Sequence, residues 1–223
     1  MIYNDYLNRL TTALPIDDPT EANWVIFLPQ IIQDAENMVY RDLDPLVMRK
    51  TTTGTLSGGV NTLTLPSDWL IGRELFVTTG GVQSRVRRCE DSYLDIYAPS
   101  GQAGSPRYWA QPTFGSLTFQ PTTDTSYTYK AYYTGLPVPL SATNATTWLT
   151  LYVPDLFFAA SMIFATGYQK NWGAMSEDPR ASLSWDIIYQ RELASAIRAE
   201  GRRKGEGYMD QTLSPPPSST ASR

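Results

Sequence analysis

Two amphipathic helices are predicted at the start of the chain, because apolar residues recur there every three or four positions. The stripe of the first helix, in residues 1–14, is Ile2, Tyr6, Leu10 and Leu14. The second helix is predicted to begin at the N-cap Thr20 and to end near Leu43. Its stripe is Trp24, Phe27, Leu28, Ile31, Ile32, Ala35, Met38 and Val39. Pro29 within this helix is expected to kink it.

From residue 51 to about residue 139 polar and apolar residues alternate, which is typical of strands. Strands are predicted at residues 61–65, 74–88, 116–119 and 126–133. The second of these segments is predicted to be a hairpin with Gly80-Gly81 as its turn. Residues 89–98 predict one short helix, and Gly54, Gly58 and Gly59 are expected in a turn that connects strands. These elements favour a small antiparallel sandwich or barrel.

Two more helices are predicted toward the C-terminus. Residues 147–168 are almost entirely apolar, and a helix is expected to begin at Pro154-Asp155, because Pro fits a first turn and Asp complements the helix dipole. The last helix is expected to begin at Asp178-Pro179, to continue to about Glu200 and to stop at Gly201. Its main stripe is Leu183, Ile187, Gln190, Ala194 and Ile197, with Trp185 and Ile188 beside it.

The apolar run after Asp155 is too short to cross a membrane. It contains about 14 uncharged residues, whereas a helix needs roughly 20 to span a bilayer. No membrane contact is therefore expected. The run is expected to be buried in the core of the protein or in a contact between subunits.

The order of the elements predicts an α+β fold. A helical bundle is expected to be built from both chain ends, residues 1–50 and 140–204. An antiparallel β domain, residues 51–139, is expected to be inserted into it. Residues 205–223 are expected to form an extended tail, because their Pro, Ser, Gly and Thr content cannot form a core. If this tail is ordered, binding to a partner protein is the expected cause.

Composition narrows the range of functions. The formal charge of -4 argues against tight binding to DNA phosphates, which needs clustered Lys and Arg. The chain has one cysteine, Cys89, and therefore no intrachain disulfide. It has no histidine, which removes Ser-His and Cys-His catalytic groups and most zinc sites. No cofactor and no metal are expected.

Two groups of residues keep an alternative chemistry open. Glu36 with Asp42 or Asp44, and Glu90 with Asp91, are acids that could serve a glycosidase, although the second pair more simply begins a helix. The aromatic group consists of Tyr127, Tyr129 and Tyr133 on one strand face, Tyr132 on the other, and Tyr108 and Trp109 nearby in the sequence. These aromatics could form a sugar-binding platform, but cross-strand packing or a protein interface is the favoured interpretation.

A resemblance is carried by an ordered set of short motifs. They are Leu65–Leu70 (LPSDWL), Gly104–Trp109 (GSPRYW), Leu117–Pro121 (LTFQP), Tyr129–Tyr133, Thr147–Leu149 and Pro154–Phe157. In this order and spacing the chain resembles the head-to-tail adaptor proteins of short-tailed bacteriophages. The resemblance covers most of the chain, from about the second helix to the last. Thr147 stands where such proteins often have Asn.

The resemblance implies a structural, non-enzymatic virion protein at the head–tail junction, assembled in the host cytoplasm. Such adaptors form a ring, usually of twelve copies, beneath the portal protein. They complete the head, retain the packaged DNA, and provide the docking surface for the tail nozzle and often for tail fibres. Genome DNA passes through the lumen of the ring without sequence-specific binding. The fold that the resemblance implies is a helical bundle with an inserted β domain.

Two sets of contact residues follow from combining this resemblance with the sequence pattern. The apolar helix after Asp155 exceeds the one stripe that a two-layer bundle needs, so the expected subunit interface is Phe157, Phe158, Met162 and Phe164. The expected portal contact is Arg198, Arg202, Arg203, Lys204, Tyr208 and Leu213. Dipole complementarity equally explains the basic residues. A carbohydrate-binding module and a virion-associated cell-wall hydrolase are the alternative functions.

Overall fold

The computed structural model of the protein describes residues 1–14, 22–97, 102–168 and 180–205. The fold is mixed α+β, as predicted. The chain divides into two compact units, one of Met1–Leu46 with Val138–Arg223 and one of Val47–Pro137. Three predictions lie outside the described residues: the cap at Thr20, the helix start at 178–179 and the extended tail after Gly205.

The described residues form six α-helices. They are α1 (Tyr3–Ala13), α2 (Ala22–Leu43), α3 (Asp91–Tyr97), α4 (Trp148–Tyr152), α5 (Pro154–Tyr168) and α6 (Arg180–Lys204). The predicted start of α5 is confirmed, whereas the short helix α4 was not predicted. All of them except α3 belong to the first unit, in which α5 contacts α1, α2, α4 and α6.

The buried faces of α1 and α2 follow the predicted stripes. Tyr6 and Leu10 of α1 are fully buried. The buried stripe residues of α2 are Trp24, Leu28, Ile31, Ile32, Ala35 and Val39. Phe27 is exposed, and Pro29 lies on the exposed side of the helix. The helical spacing of apolar residues was therefore sufficient to predict which side of these two helices is buried.

Two predictions for α6 are wrong. The helix does not stop at Gly201 but continues to Lys204, because Arg and Lys are good helix formers and the next glycine, Gly205, adopts the left-handed conformation with φ of 73°. The predicted stripe is exposed at Ile187, by 69%, and at Ile197, by 49%, whereas the side chain of Leu183 lies outside the described residues. The buried side consists of Tyr189, Ala196 and Glu200, with Trp185, Ile188 and Leu193 partly buried.

The second unit contains a seven-stranded sheet that is nearly closed into a barrel. Its strands are β1 (Arg49–Leu56), β2 (Thr62–Thr64), β3 (Trp69–Thr79), β4 (Val82–Arg88), β5 (Tyr108–Thr113), β6 (Ser116–Gln120) and β7 (Tyr127–Gly135). Their order in the sheet is β1-β7-β3-β4-β5-β6-β2. The hairpin of β3 and β4 is confirmed, and Gly80 and Gly81 in its turn have φ of 56° and 82°, which favours glycine.

The sheet differs from the predicted antiparallel one in a single pair. β4 and β5 are parallel, because α3 and the residues around it carry the chain across before β5 begins. Two strands, β1 and β5, were not predicted. Gly54 lies within β1 and not in a turn, and a Cβ atom there would be 2.8 Å from Cε1 of Tyr129. Gly58 and Gly59 do lie in a turn, as predicted.

Aromatic side chains fill the barrel. The buried residues are Leu56, Trp69, Leu75, Val77, Val86, Trp109, Leu117, Phe119, Tyr127, Ala131 and Tyr133. Trp69 stacks on Tyr133 with ring centroids 4.4 Å apart. Gly72 lies beside a bulge in β3, where a Cβ atom would be 2.7 Å from Cη2 of Trp109 and 2.9 Å from Cζ2 of Trp69. The lack of a side chain at this position lets the two indole rings pack against the strand.

Candidate assembly surfaces

The predicted interface helix α5 is the centre of its own unit. Phe157 stacks on Tyr6 with centroids 4.6 Å apart. Phe158 packs edge-on against Trp185 at 5.8 Å, with the Arg9 guanidinium 4.1 Å from its ring centroid. These contacts explain why α5 is apolar around most of its circumference without any contact to another copy.

Three of the four residues expected at the subunit interface are therefore buried in one protomer. Phe157, Phe158 and Met162 are all less than about a tenth exposed, and Phe164 is half-buried. Their role in a subunit contact stays a prediction. Phe164 offers such a contact the most accessible ring surface of the four.

Polar groups are buried between the helices of this unit. The Tyr6 hydroxyl and the Ser161 hydroxyl are 2.7 Å apart and share a hydrogen bond. Glu36 is 2% exposed, and its two carboxylate oxygens accept from the Leu140 N–H at 3.1 and 3.2 Å. Burial raises the pKa of Glu36 to about 7, since the charged form loses its water. The hydroxyl of Tyr40 is buried with no hydrogen-bond partner among the described residues.

The candidate catalytic acids have separate structural partners. Asp42 accepts a hydrogen bond from the Tyr189 hydroxyl at 2.8 Å, and Asp44 forms an ion pair with Lys204 at 3.6 Å. Asp91 begins α3, as the simpler interpretation of that pair predicted. Glu36, by contrast, binds the Leu140 N–H, so these acids do not share a partner. Within the described ranges, no cluster of three or more acidic or cysteine side chains is arranged to bind a metal ion.

Four of the six aromatics of the candidate sugar platform lie inside the barrel, whereas Tyr108 and Tyr132 are outside its core. Tyr127, Tyr133 and Trp109 are at most 5% exposed and belong to the core, and Tyr129 packs against it. This is the cross-strand packing that was the favoured interpretation. Cys89 is half-buried, its thiol donates to the Trp109 carbonyl at 3.6 Å, and burial raises the pKa of the thiol.

The basic residues at the end of α6 differ in the contacts that they make within the protomer. Arg203 forms an ion pair with Glu200 at 3.0 Å, and its guanidinium lies over Trp148 and Tyr152 at 5.6 and 5.1 Å. Glu200 is itself buried and accepts from the Leu46 N–H at 2.6 Å. Arg203 is therefore committed largely to its own protomer.

The remaining members of the predicted portal contact differ in accessibility. Arg198 and Arg202 are exposed on α6, whereas Lys204 is mostly buried. Tyr208 and Leu213 lie outside the described residues. Among the described members, Arg198, Arg202 and Arg203 are exposed, and Arg203 is already paired with Glu200.

A cationic groove on the barrel was not predicted. It has a volume of about 710 Å³ and is lined by Arg49, Lys50, Thr51, Ile71, Gly72, Arg73, Glu74, Arg88, Tyr132 and Tyr133. Lys50 is paired with Asp68 at 2.6 Å, and Glu74 with Arg85 at 2.9 Å. The basic residues come from three strands, so no run of charge in the sequence could reveal them. The groove concentrates positive charge on a chain whose formal charge is -4.

None of the helices in the described part of the chain is long and apolar enough to cross a membrane.

A sequence model of the SU10 adaptor protein family matches residues 1–215. No protein with a curated description matches the chain. The family match includes both compact units and all the helices and strands described above.

Proposed function

The chain belongs to the SU10 adaptor protein family, and we propose that it is the head-to-tail adaptor of a short-tailed phage, forming a ring that joins the portal to the tail. Family membership makes it a phage structural adaptor and a component of the virion. In the proposed role, twelve copies surround the channel beneath the portal. The tail nozzle, and in some phages the tail fibres, dock on the opposite side.

The observation that carries this proposal is the extent of the family match. It covers residues 1–215, so the family likeness does not come from one common module such as the barrel. The exposed arginines of α6 and the exposed apolar residues of α2 and α6 support an assembling protein, since such side chains are enriched in protein interfaces.

The proposed portal contact uses the end of α6 and the segment after it. Its residues are Arg198, Arg202, Arg203, Lys204, Tyr208 and Leu213. Exposed Arg202 supports this proposal most directly, because a rim cation can guide an acidic partner surface into place.

Passage of the genome needs a wall that does not bind DNA tightly. The net charge of -4 supports weak repulsion of DNA phosphates. We propose that the ring retains DNA by closing the portal exit together with the tail, without base-specific contacts.

The proposal is tested by disrupting the gene in the phage that encodes it and examining the particles by electron microscopy. We expect heads that carry a portal but no tail. Supplying the intact chain from a plasmid should restore tailed particles. Normal tailed, infectious particles from the disrupted phage would overturn the proposed function.

A further inference from the structure

The cationic groove lies across three adjacent strands of the barrel, β1, β7 and β3. Thr134 of β7 pairs with Arg49 of β1 on one side and with Ile71 of β3 on the other. Directly paired residues project from the same side of a sheet, so these three form one row. A second row on that side consists of Thr51, Tyr132 and Glu74. It lies two residues away in β1 and β7 and, because of the bulge, three residues away in β3.

These rows are on the outer side of the barrel. The side chain of Tyr133, which alternates with Thr134 and Tyr132 along β7, points into the core and stacks on Trp69. Arg49 and Ile71 are exposed, and their Cα atoms lie two strand spacings apart, which is about 10 Å. A partner can therefore reach an arginine and an apolar side chain at the same time.

Two exposed arginines of the groove, Arg49 and Arg73, have neither an ion pair nor a ring contact among the described residues. The bulge between Gly72 and Glu74 adds Arg73 to the groove. Arg88 is less available, because its guanidinium lies 5.4 Å from the centroid of the Trp109 ring. The groove thus offers two guanidinium groups, each able to bind a carboxylate through two parallel hydrogen bonds.

The other lining residues indicate which anion fits. Ile71 is 56% exposed beside the arginines, and Tyr132 presents an aromatic ring in the next row. Glu74 contributes a carboxylate to the same lining. A phosphate backbone offers no apolar side chain to pack on Ile71. A polypeptide can supply carboxylates for the arginines and an apolar side chain for Ile71.

We propose that the groove is a docking site for an extended acidic segment of a partner protein, in which acidic and apolar side chains share one side. Successive side chains of an extended segment point to opposite sides, so side chains that share one side belong to alternate positions, about 7 Å apart, and both the acidic and the apolar residues occupy such positions. The carboxylates would pair with Arg49 and Arg73, while an apolar side chain packs on Ile71 and Tyr132. The inference deepens the proposed function, since in an adaptor such a segment would come from another virion protein.

Peptide binding to the full-length chain tests this inference without the portal. The probe, called the Glu/Val peptide, is a fluorescein-labelled peptide of about ten residues in which Glu and Val alternate along one side and Ser occupies every intervening position. Its binding is followed by fluorescence anisotropy. We expect saturable binding that weakens as salt rises, since exposed ion pairs are screened. A peptide in which Lys replaces Glu should not bind. A Glu/Ser peptide should bind at least about threefold more weakly, because it offers nothing apolar to Ile71.

Substitutions locate the bound peptide. Arg49→Ala/Arg73→Ala should weaken binding of the Glu/Val peptide by about tenfold or more, because both proposed carboxylate partners are lost. Arg41→Ala/Arg191→Ala is the matched control: it removes the same charge from exposed positions in the other unit and should bind normally. Ile71→Ser should reduce the affinity for the Glu/Val peptide to that for the Glu/Ser peptide. Thermal unfolding establishes that each variant is folded.

Three outcomes would overturn the inference. The first is that the Glu/Val peptide does not bind at all. The second is that both double-arginine variants lose affinity equally, which would indicate attraction by net charge alone. The third is that a decathymidylate probe binds more tightly than the peptide and is lost in Arg49→Ala/Arg73→Ala, which would make the groove a nucleic-acid site.

The same assay separates this inference from the proposed function. The binding assay does not depend on ring formation on the portal. Absence of peptide binding would therefore not contradict the adaptor function. Conversely, the chain could bind the Glu/Val peptide and yet form no ring on the portal. That result would support the docking site and contradict the proposed function.

Discussion

Glu36 is the described acid whose environment differs most from water. Its pKa rises from 4.5 to about 7, because burial penalises the carboxylate and the Leu140 N–H offsets only part of that cost. The unfolded chain therefore ionises Glu36 at lower pH than the folded protein does. The contribution of Glu36 to the free energy of unfolding therefore decreases as pH rises from about 4.5 to about 7. Above that range this contribution no longer changes with pH.

Replacement of Glu36 by glutamine should remove this pH dependence. A rise from 4.5 to about 7 corresponds to about 3 kcal/mol, which the wild-type protein should lose between about pH 5 and pH 8 relative to Glu36→Gln. The glutamine oxygen keeps an acceptor for the Leu140 N–H. Urea unfolding at both pH values measures the difference. Asp34→Asn, an exposed change on the same helix, should behave as wild type. The same pH dependence in wild type and Glu36→Gln would contradict this reading of Glu36.

Gly72 is the residue on which the packing of the two tryptophans depends. Gly72→Ala should destabilise the barrel by about 2 kcal/mol, because the new methyl group would overlap Trp109 and Trp69. Thermal unfolding followed by tryptophan fluorescence measures the loss. Gly115→Ala is the matched control, since a Cβ atom there meets nothing within 4 Å. Equal stability of the two variants would show that the rings can move aside.

At the scale of elements, helix α6 shows where apolar spacing is insufficient. Two sets of residues in α6 have helical spacing, and the more regular apolar set, which includes Ile187 and Ile197, is exposed. The buried side includes Tyr189 and Glu200, which are held by hydrogen bonds to Asp42 and to the Leu46 N–H. The side of α6 that is buried therefore depends on polar partners in distant segments. These partners cannot be identified from the sequence of the helix itself. In α2 the buried side is apolar and the prediction was correct.

Strands were predicted where alternation was strong and missed where it was weak. In β1 the residues Arg49–Leu56 have one buried side chain, at Leu56, so polar residues dominate both sides. In β5 two adjacent residues, Trp109 and Ala110, are buried at a register shift, which breaks the alternation. The parallel pairing of β4 with β5 depends on long-range contacts that local pattern does not encode. The cationic groove was missed for the same reason, since Arg49 and Arg73 meet only when β1 and β3 flank β7.

The short helix α4 depends on its capping box. The Thr147 hydroxyl accepts from the Thr150 N–H, and the Thr150 hydroxyl accepts from the Thr147 N–H. Thr147→Ala should cost about 1 kcal/mol, whereas Thr147→Asn should retain most of the stability, because Asn also caps helices. Urea unfolding of both variants compares them. Thr146→Ala, at the exposed preceding residue, is the control. A Thr147→Asn variant as unstable as Thr147→Ala would contradict a capping role.

At the scale of the whole molecule, the sequence was sufficient to predict the α+β class and the family, whereas the contact surfaces stay predictions. The family resemblance depended on short motifs at turns and strand ends, such as Leu65–Leu70, and the family match agrees with it. The contact residues in α5 were inferred because this helix has more apolar residues than the single stripe that a two-layer bundle needs. Neighbouring helices supply partners for that excess within one protomer, as Phe157 on Tyr6 shows. Exposure can be judged only after all helices are packed.

Removal of the last residues should separate portal binding from folding. Deletion of residues 206–223 should weaken binding to the portal by at least about tenfold while the unfolding midpoint of the remaining chain stays unchanged, since the proposed contact is a surface contact. Surface plasmon resonance with immobilised portal rings measures the affinity. Unchanged affinity after the deletion would remove residues 206–223 from the portal contact.

The central claim is that this adaptor forms a ring on the portal, and native mass measurement tests it most directly. The purified chain has a mass of 24.9 kDa and should be measured alone and after mixing with portal rings from the same phage. We expect a complex heavier than the portal by one whole-number multiple of that mass, with no partly filled species at excess adaptor. A chain that remains at 24.9 kDa in the presence of the portal would contradict it.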